Sequence, residues 1–265
     1  METITSRDGT TIAYERTGSG PPLVLVHGTS ADHTRWEPVR PAFEERFTVY
    51  AMDRRGRGES GDAEEYDLER EFEDVAALVD AVDEPAVLLG HSYGAICALE
   101  AALRTDNLRA LVLYEPPIPW EILGPHLSAE AVYAEMEALI ADGADEQALV
   151  LFFDAIVALP QPELDALRSA SNWPARVDAV DTVVREERAP ATYDFDATQF
   201  GDLTTPTALL LGSESPQYFK DATAAIDDAL PNSRITTLEG QTHVAINTAP
   251  DRFVDAVFAF VRETN

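Results

Sequence analysis

The sequence predicts an α/β fold: a mainly parallel, doubly wound sheet with a block of helices inserted late in the chain. Three observations predict it. Short apolar, β-prone runs alternate with helical patterns from the N-terminus to about Tyr114, the order that gives parallel strands joined by crossover helices. From about Trp120 to Thr198 helical stretches follow one another with no good strand between them. The alternation then resumes and runs to the end of the chain. The expected organisation is therefore a core of residues 1–119 and 199–265, with residues 120–198 inserted after the sixth strand.

The elements follow in order. Glu2–Ser6 and Thr10–Arg16 alternate in polarity and are rich in Thr, Ile and Tyr, and Asp8-Gly9 between them signals a hairpin turn. Leu23–Val26 is a continuous apolar run after Pro21-Pro22, as a strand covered on both faces requires. A short helix is expected over Thr34–Phe43 and a strand over Phe47–Met52. Phe72, Val75, Ala76, Val79 and Val82 form one stripe of a helix spanning Glu69–Val82. Ala86–Leu89 is the next strand, Ala95–Leu103 a helix, and Leu108–Tyr114 a strand that Glu115-Pro116-Pro117-Ile118-Pro119 ends abruptly. Helical stretches at Ala129–Ala141 and Asp145–Leu159 belong to the insertion. Thr207–Leu211 and Arg234–Leu238 are late strands, with helices near Ala222–Leu230 and Asp251–Arg262.

The most informative stretch is Gly90-His91-Ser92-Tyr93-Gly94, set between a strand and a helix. A turn that sharp strains its middle residue and crowds the backbone on either side, so small residues are needed two before and two after it. Gly90 and Gly94 stand at those places. Strand, G-x-S-x-G and helix in succession define a nucleophile elbow, which holds a serine hydroxyl in the open over the N-terminus of the following helix.

Composition bounds the function classes. There are 48 acidic and 19 basic residues, a formal net charge of −29, and Lys220 is the only lysine. Nucleic acid is excluded as a natural partner, because phosphate binding needs a positive face. The acids are spread along the chain rather than gathered in a tail. Self-repulsion at this charge calls for screening by salt, so the expected host keeps a high internal salt concentration. No run approaches the roughly 20 apolar residues that span a bilayer, and Met1–Arg7 lacks the charged and apolar regions of a signal peptide. The expected location is the cytoplasm. Cys97 has no partner for an internal disulfide. No H-E-x-x-H or C-x-x-C suggests a metal, and no dinucleotide or P-loop pattern is present, so no cofactor is expected.

His27-Gly28 after an early strand, Asp53-Arg54-Arg55-Gly56-Arg57-Gly58-Glu59-Ser60, the elbow Gly90–Gly94 and Gly240-Gln241-Thr242-His243 near the end occur in a fixed order. With them the chain resembles the α/β-hydrolase superfamily over nearly its whole length. The resemblance implies the α/β-hydrolase fold, with residues 120–198 as a helical cap, and it specifies no substrate. It implies Ser92 as nucleophile and His243, which follows it in the chain, as its base. A serine hydroxyl is feeble without a base, and an imidazole takes and returns protons near neutrality. The backbone N–H groups of Thr29 and Tyr93 would form the oxyanion hole. His27 would support the oxyanion loop, and Asp53 with its arginines would brace the loop near the site.

The acid that orients His243 is open between two residues. The superfamily usually places it near Ser215, which carries no charge; Glu214 is one residue earlier. Glu115 follows the preceding strand, and Tyr114-Glu115-Pro116 looks like the arrangement of some haloalkane dehalogenases. An aspartate nucleophile, as in those dehalogenases and the epoxide hydrolases, is excluded by Ser92. The expected activity is cleavage of a small ester or lactone through an acyl-enzyme. Cofactor-free haloperoxidase-like or carbon–carbon bond hydrolysis is an alternative use of the same triad. A ligand-sensing protein with a slow or vestigial site is another.

Overall fold

The computed structural model describes residues 1–63, 65–118, 129–189 and 195–264. Eight strands form one sheet: β1 (Glu2–Thr5), β2 (Thr11–Gly18), β3 (Pro22–Val26), β4 (Thr48–Met52), β5 (Ala86–His91), β6 (Leu108–Tyr114), β7 (Thr207–Gly212) and β8 (Ser233–Leu238). Their spatial order is β1-β2-β4-β3-β5-β6-β7-β8. The first hairpin is antiparallel and β2 pairs antiparallel with β4, while all later pairs are parallel. The hairpin turns at Asp8-Gly9, where Gly9 has φ +91° and the Asp8 carboxylate accepts from the Thr10 N–H at 2.9 Å.

The apolar runs are continuous because alternate residues serve two cores. Val24, Val26 and Leu88 point to the face covered by α2 (Leu68–Asp80), α3 (Tyr93–Ala101) and α9 (Gln217–Ala229). Leu23, Leu25, Val87 and Leu89 point to the opposite face with Phe43, Phe253, Val257 and Val261, supplied by α1 (Arg40–Glu44) and α11 (Pro250–Glu263). Every residue of β3 and β5 is buried. Helix α2 starts where the Asp67 side chain accepts from the Glu69 N–H and buries Phe72, Val75, Ala76 and Val79. The helix expected over Thr34–Phe43 is split into a 3-10 turn, His33–Trp36, and α1. Pro38 lies in the gap and supplies no N–H to continue a helix, whereas Pro41 falls in the first turn of α1, where a missing N–H is harmless.

Between β6 and β7 the described residues form five α-helices, α4 (Ala129–Ala141), α5 (Asp145–Ala155), α6 (Gln161–Arg168), α7 (Trp173–Asp178) and α8 (Val180–Arg188), and a 3-10 turn, Ala197–Phe200. Tyr133, Met136, Leu149, Phe152, Leu164 and Val183 give them an apolar cluster of their own, against which Val244 from the core packs. The start expected for the insertion at Trp120 falls outside the described residues, as do residues 190–194 near its end. Among the described residues, no helix is long and apolar enough to cross a membrane.

Candidate active site

The carboxyl ends of β5, β6 and β7 and the loop after β8 converge, as ligand sites of doubly wound sheets require. At the end of β5, Ser92 has φ 55° and ψ −128°, a conformation that costs of the order of 1–3 kcal/mol for a residue with a side chain. The surrounding chain holds it there. The Ser92 N–H donates to the Tyr114 carbonyl at 2.8 Å. A Cβ on Gly90 would stand 2.4 Å from the Gly94 carbonyl oxygen, and one on Gly94 would stand 2.3 Å from that of His27. Gly28 lies against the serine itself: a Cβ there would approach the Ser92 Cβ to 2.8 Å and its Oγ to 3.4 Å.

His243 sits in the loop before α10 (Ala245–Thr248) and is fixed on every side. Its ring stacks on Phe219 with centroids 4.2 Å apart and tilts against His91 at 4.7 Å. The His91 Nε2 donates to the His243 carbonyl at 3.1 Å, and burial keeps the His91 imidazole neutral by lowering its pKa well below the usual range. The Tyr114 hydroxyl donates to the Thr242 carbonyl and accepts from the Ala245 N–H. The Thr242 hydroxyl meets both carboxylate oxygens of Glu163 on α6, at 2.9 and 2.8 Å.

Glu115 and Glu214 are placed differently. The His243 Nδ1 hydrogen-bonds to Glu115 Oε2 at 2.6 Å, and Glu115 is fully buried. Its other oxygen accepts from the Gly212 N–H at 2.7 Å and from the Ser215 hydroxyl at 2.6 Å. Glu214 is exposed and accepts from the Ser213 hydroxyl at 3.2 Å. Ser215, at the place where the superfamily usually has its acid, thus serves as a donor to the carboxylate delivered by the neighbouring strand. Glu115 itself has φ 47°, so the chain turns sharply at the end of β6 to aim it.

Ser92 and His243 open on two adjoining cavities that share Thr29, Phe152 and Val157 in their walls. The first is lined by Tyr93, Ile96, Ile118, Ile156, Tyr218 and Glu187 among others. The second is lined by Phe153, Leu159, Leu167, Val244, Arg35 and Arg176 among others. Thr29 and Tyr93 therefore flank the serine, and Tyr93 opens α3, where the first backbone N–H groups of a helix have no acceptor within it. Trp36 is wholly buried in the core beneath the site.

His27 Nδ1 donates to the Gly28 carbonyl at 2.8 Å, and its Nε2 accepts from the Arg54 N–H at 3.0 Å. Burial, reinforced by Arg54, holds it neutral. Asp53 accepts from the His33 N–H and the His33 ring, both at 2.8 Å, and from the Glu59 N–H at 2.9 Å. The arginines after it are paired: Arg55 with Asp74 and Asp8, Arg54 with Glu71 and Glu186, and Arg57 with Glu186. Glu186 belongs to α8, so this buried cluster joins the helical insertion to the core.

Three features were not read from the sequence. Ser215 donates to Glu115. Glu187, on α8, reaches the first cavity, where the Tyr133 and Thr29 hydroxyls hydrogen-bond it. Burial, and then the neighbouring Glu186, push its carboxyl up to about 8. Arg35 and Arg176 are the third. No group of three or more His, Cys, Asp or Glu among the described residues is arranged to hold a metal.

A strained serine at the mouth of a cavity, beside an imidazole bonded to a buried carboxylate, is the constellation of a hydrolase that works through a nucleophilic side chain. The profile of the alpha/beta hydrolase family matches residues 23–256. The chain belongs to that family, a group of hydrolytic enzymes. It is 27% identical to a pimeloyl-[acyl-carrier protein] methyl ester esterase of Aeromonas hydrophila, over 94% of this chain and 99% of that one. It is 25% identical to a 2-(acetamidomethylene)succinate hydrolase of Mesorhizobium japonicum, over 95% and 91%. Among solved structures, an alpha/beta hydrolase from Sphaerobacter thermophilus superposes with a TM-score of 0.84 at 33% identity, covering 98% of this chain and 100% of that one. An esterase from Rhodococcus superposes with 0.81 at 27%, covering 100% and 99%.

Proposed function

We propose that the chain is a serine hydrolase of small, partly apolar esters or lactones, with Ser92, His243 and Glu115 as its triad. The observation that carries this reading is the 2.6 Å hydrogen bond between the His243 Nδ1 and the buried Glu115, made beside a serine held at φ 55°. Glu115 fixes the tautomer that leaves Nε2 free to take a proton, and it stabilises the imidazolium that forms. Ser92 Oγ gives its proton to His243 Nε2 and bonds to the ester carbonyl carbon. The carbonyl oxygen becomes an oxyanion facing the Thr29 and Tyr93 N–H groups. Collapse breaks the bond to the alcohol, which leaves with the proton from His243. Water, deprotonated by the same imidazole, then attacks the acyl carbon; the bond to Ser92 Oγ breaks, the serine oxygen takes the proton back from His243, and the acid is released.

The apolar walls of both cavities favour a substrate with hydrocarbon bulk. The esterase and hydrolase activities of the relatives agree with an acyl bond as the target. Residues 120–198 act as the cap that encloses it. The enzyme works in the cytoplasm of a host with high internal salt, a reading supported by a net charge of −29 with one lysine.

Labelling with a fluorophosphonate probe, followed by a screen of 4-nitrophenyl esters at high salt, tests the function. The expected result is stoichiometric labelling and ester turnover, both lost in Ser92→Ala. Labelling that survives Ser92→Ala contradicts the assignment.

A further inference from the structure

Arg35 and Arg176 are the exception in a chain that otherwise pairs its buried arginines. Arg35 is 4% exposed and Arg176 5%. Arg54, Arg55 and Arg57 are equally buried, and each meets a carboxylate. Among the described residues Arg35 and Arg176 have none at ion-pair distance. Arg35 donates one N–H to the Asn247 side-chain carbonyl. Arg176 donates to the Ser30 carbonyl at 3.0 Å and to its hydroxyl at 3.4 Å, and its Nε has no partner. The chain has 48 acidic residues with which to neutralise 19 basic ones, so a shortage of carboxylates does not explain the arrangement.

Both guanidinium groups line the second cavity, which also holds Ser92 and His243. Burial, and then the nearby Arg176, lowers the Arg35 pKa to about 9. Burial lowers that of Arg176 to about 10, against the pull of Asp32. Both side chains remain cationic at neutral pH. A buried cation without a counter-charge is costly, and two in one cavity repel each other. An anion entering beside them would relieve both, and a guanidinium suits a carboxylate in particular because its N–H groups match the two oxygens. Their supports are stiff. The turn that carries Arg35 is tied down by Asp53 through His33, and Arg176 is anchored to Ser30, next to Thr29.

We infer that Arg35 and Arg176 form a carboxylate-binding subsite, so that the enzyme acts on esters whose acyl or alcohol part carries a free carboxylate. The inference rests on the hydrolase reading above and adds the class of substrate. The carboxylate sits in the cavity of Leu159, Leu167 and Val244, with the scissile carbonyl at Ser92 and the remaining apolar part toward Ile96 and Ile118. The acidic surface repels such a substrate at long range, and salt screens that repulsion more than it weakens a buried pair.

Two ester pairs and one binding experiment test it at constant ionic strength. Mono-4-nitrophenyl glutarate is compared with 4-nitrophenyl pentanoate for an acyl-side carboxylate. Carboxymethyl butanoate is compared with ethyl butanoate for an alcohol-side one. The expected kcat/KM favours the charged ester in at least one pair by ~10-fold or more, the scale of a charge-assisted hydrogen-bonded contact. Arg176→Gln and Arg35→Gln, checked by thermal melting, should each reduce that ratio by ~10-fold, with Arg176→Lys retaining more of it. Calorimetric binding of glutarate to Ser92→Ala protein reads the subsite without turnover, and adding Arg176→Gln should weaken it by ~10-fold. Equal rates within both pairs, or glutarate binding indifferent to both arginines, overturn the inference. Absence of turnover of all four esters contradicts the hydrolase reading instead, and glutarate binding then decides the subsite alone.

Discussion

At the scale of single residues, the site depends on how a few side chains are aimed. Glu115 is buried, bonded to His243 and supported by Ser215 and Gly212, whereas Glu214 is exposed and bonded to Ser213. Glu115→Gln should therefore lower kcat by ~10²–10⁴-fold by upsetting the tautomer, and Glu214→Gln should leave it within ~3-fold, as expected of an exposed surface change. Steady-state kinetics on one ester compares them directly. Gly28→Ala would place a methyl 2.8 Å from the Ser92 Cβ; displacing the serine by a fraction of an ångström should reduce kcat/KM by roughly 10²-fold.

Glu187 gives a pH signature. Its carboxyl, raised to about 8 by burial and by Glu186, is neutral at pH 7 and ionises above it, next to Thr29. The new charge would oppose the developing oxyanion, so kcat/KM for a neutral ester should fall through an alkaline limb near that value. Glu187→Gln should lack the limb. The sign for stability is the same. A folded-state pKa above the ordinary 4.5 favours folding fully below about 4.5, and the contribution is lost as pH rises towards about 8. Melting curves against pH for the two proteins should diverge in that window.

At the scale of elements, legibility divides cleanly. Leu23–Val26 and Ala86–Leu89 were readable because strands covered on both faces must be apolar at every position. Ser92 was readable because the strained turn demands glycines on either side of it within five residues. The carboxylate that meets His243 was ambiguous because Glu115 and His243 lie 128 positions apart, and only the parallel pairing of β6 with β7 places Ser215 beneath Glu115. Arg35 and Arg176 escaped for the same reason: one is on a 3-10 turn and the other on α7, and neither has a local pattern. The expected Thr34–Phe43 helix is split at Pro38, which supplies no N–H to continue it.

Helix α8 is the element that couples the insertion to the core. Glu186 meets Arg54 and Arg57 where all three side chains are fully buried. Removing its charge leaves two buried cations with less compensation, a loss of ~3–5 kcal/mol for a broken buried pair. Glu186→Gln should lower the melting temperature by roughly 10 °C, whereas Glu130→Gln, which breaks an exposed pair between α4 and Arg188 of α8, should shift it by less than ~2 °C. Differential scanning calorimetry reads both.

At the scale of the whole molecule, charge dominates. A net −29 on 265 residues makes the compact state repel itself, and salt screens that repulsion over about 10 Å at 0.1 M and about 3 Å at 1 M. Thermal stability should rise steadily from ~0.1 to ~2 M potassium chloride. A flat or falling curve would contradict the high-salt reading without touching the active site. The fold and the site are separable in this way because the two cores, His243 and Glu115 are buried, while most of the acidic excess is on the surface.

In the proposed mechanism one hydroxyl, Ser92, carries the acyl group during turnover. Rapid mixing of the enzyme with excess 4-nitrophenyl butanoate, with acid quench and mass mapping of the digested chain, measures this directly. A butanoyl adduct on the peptide that contains Ser92, formed no more slowly than steady turnover and absent from Ser92→Ala, is the expected result. Turnover by the wild type through an adduct on another residue, or undiminished turnover by Ser92→Ala, would contradict it.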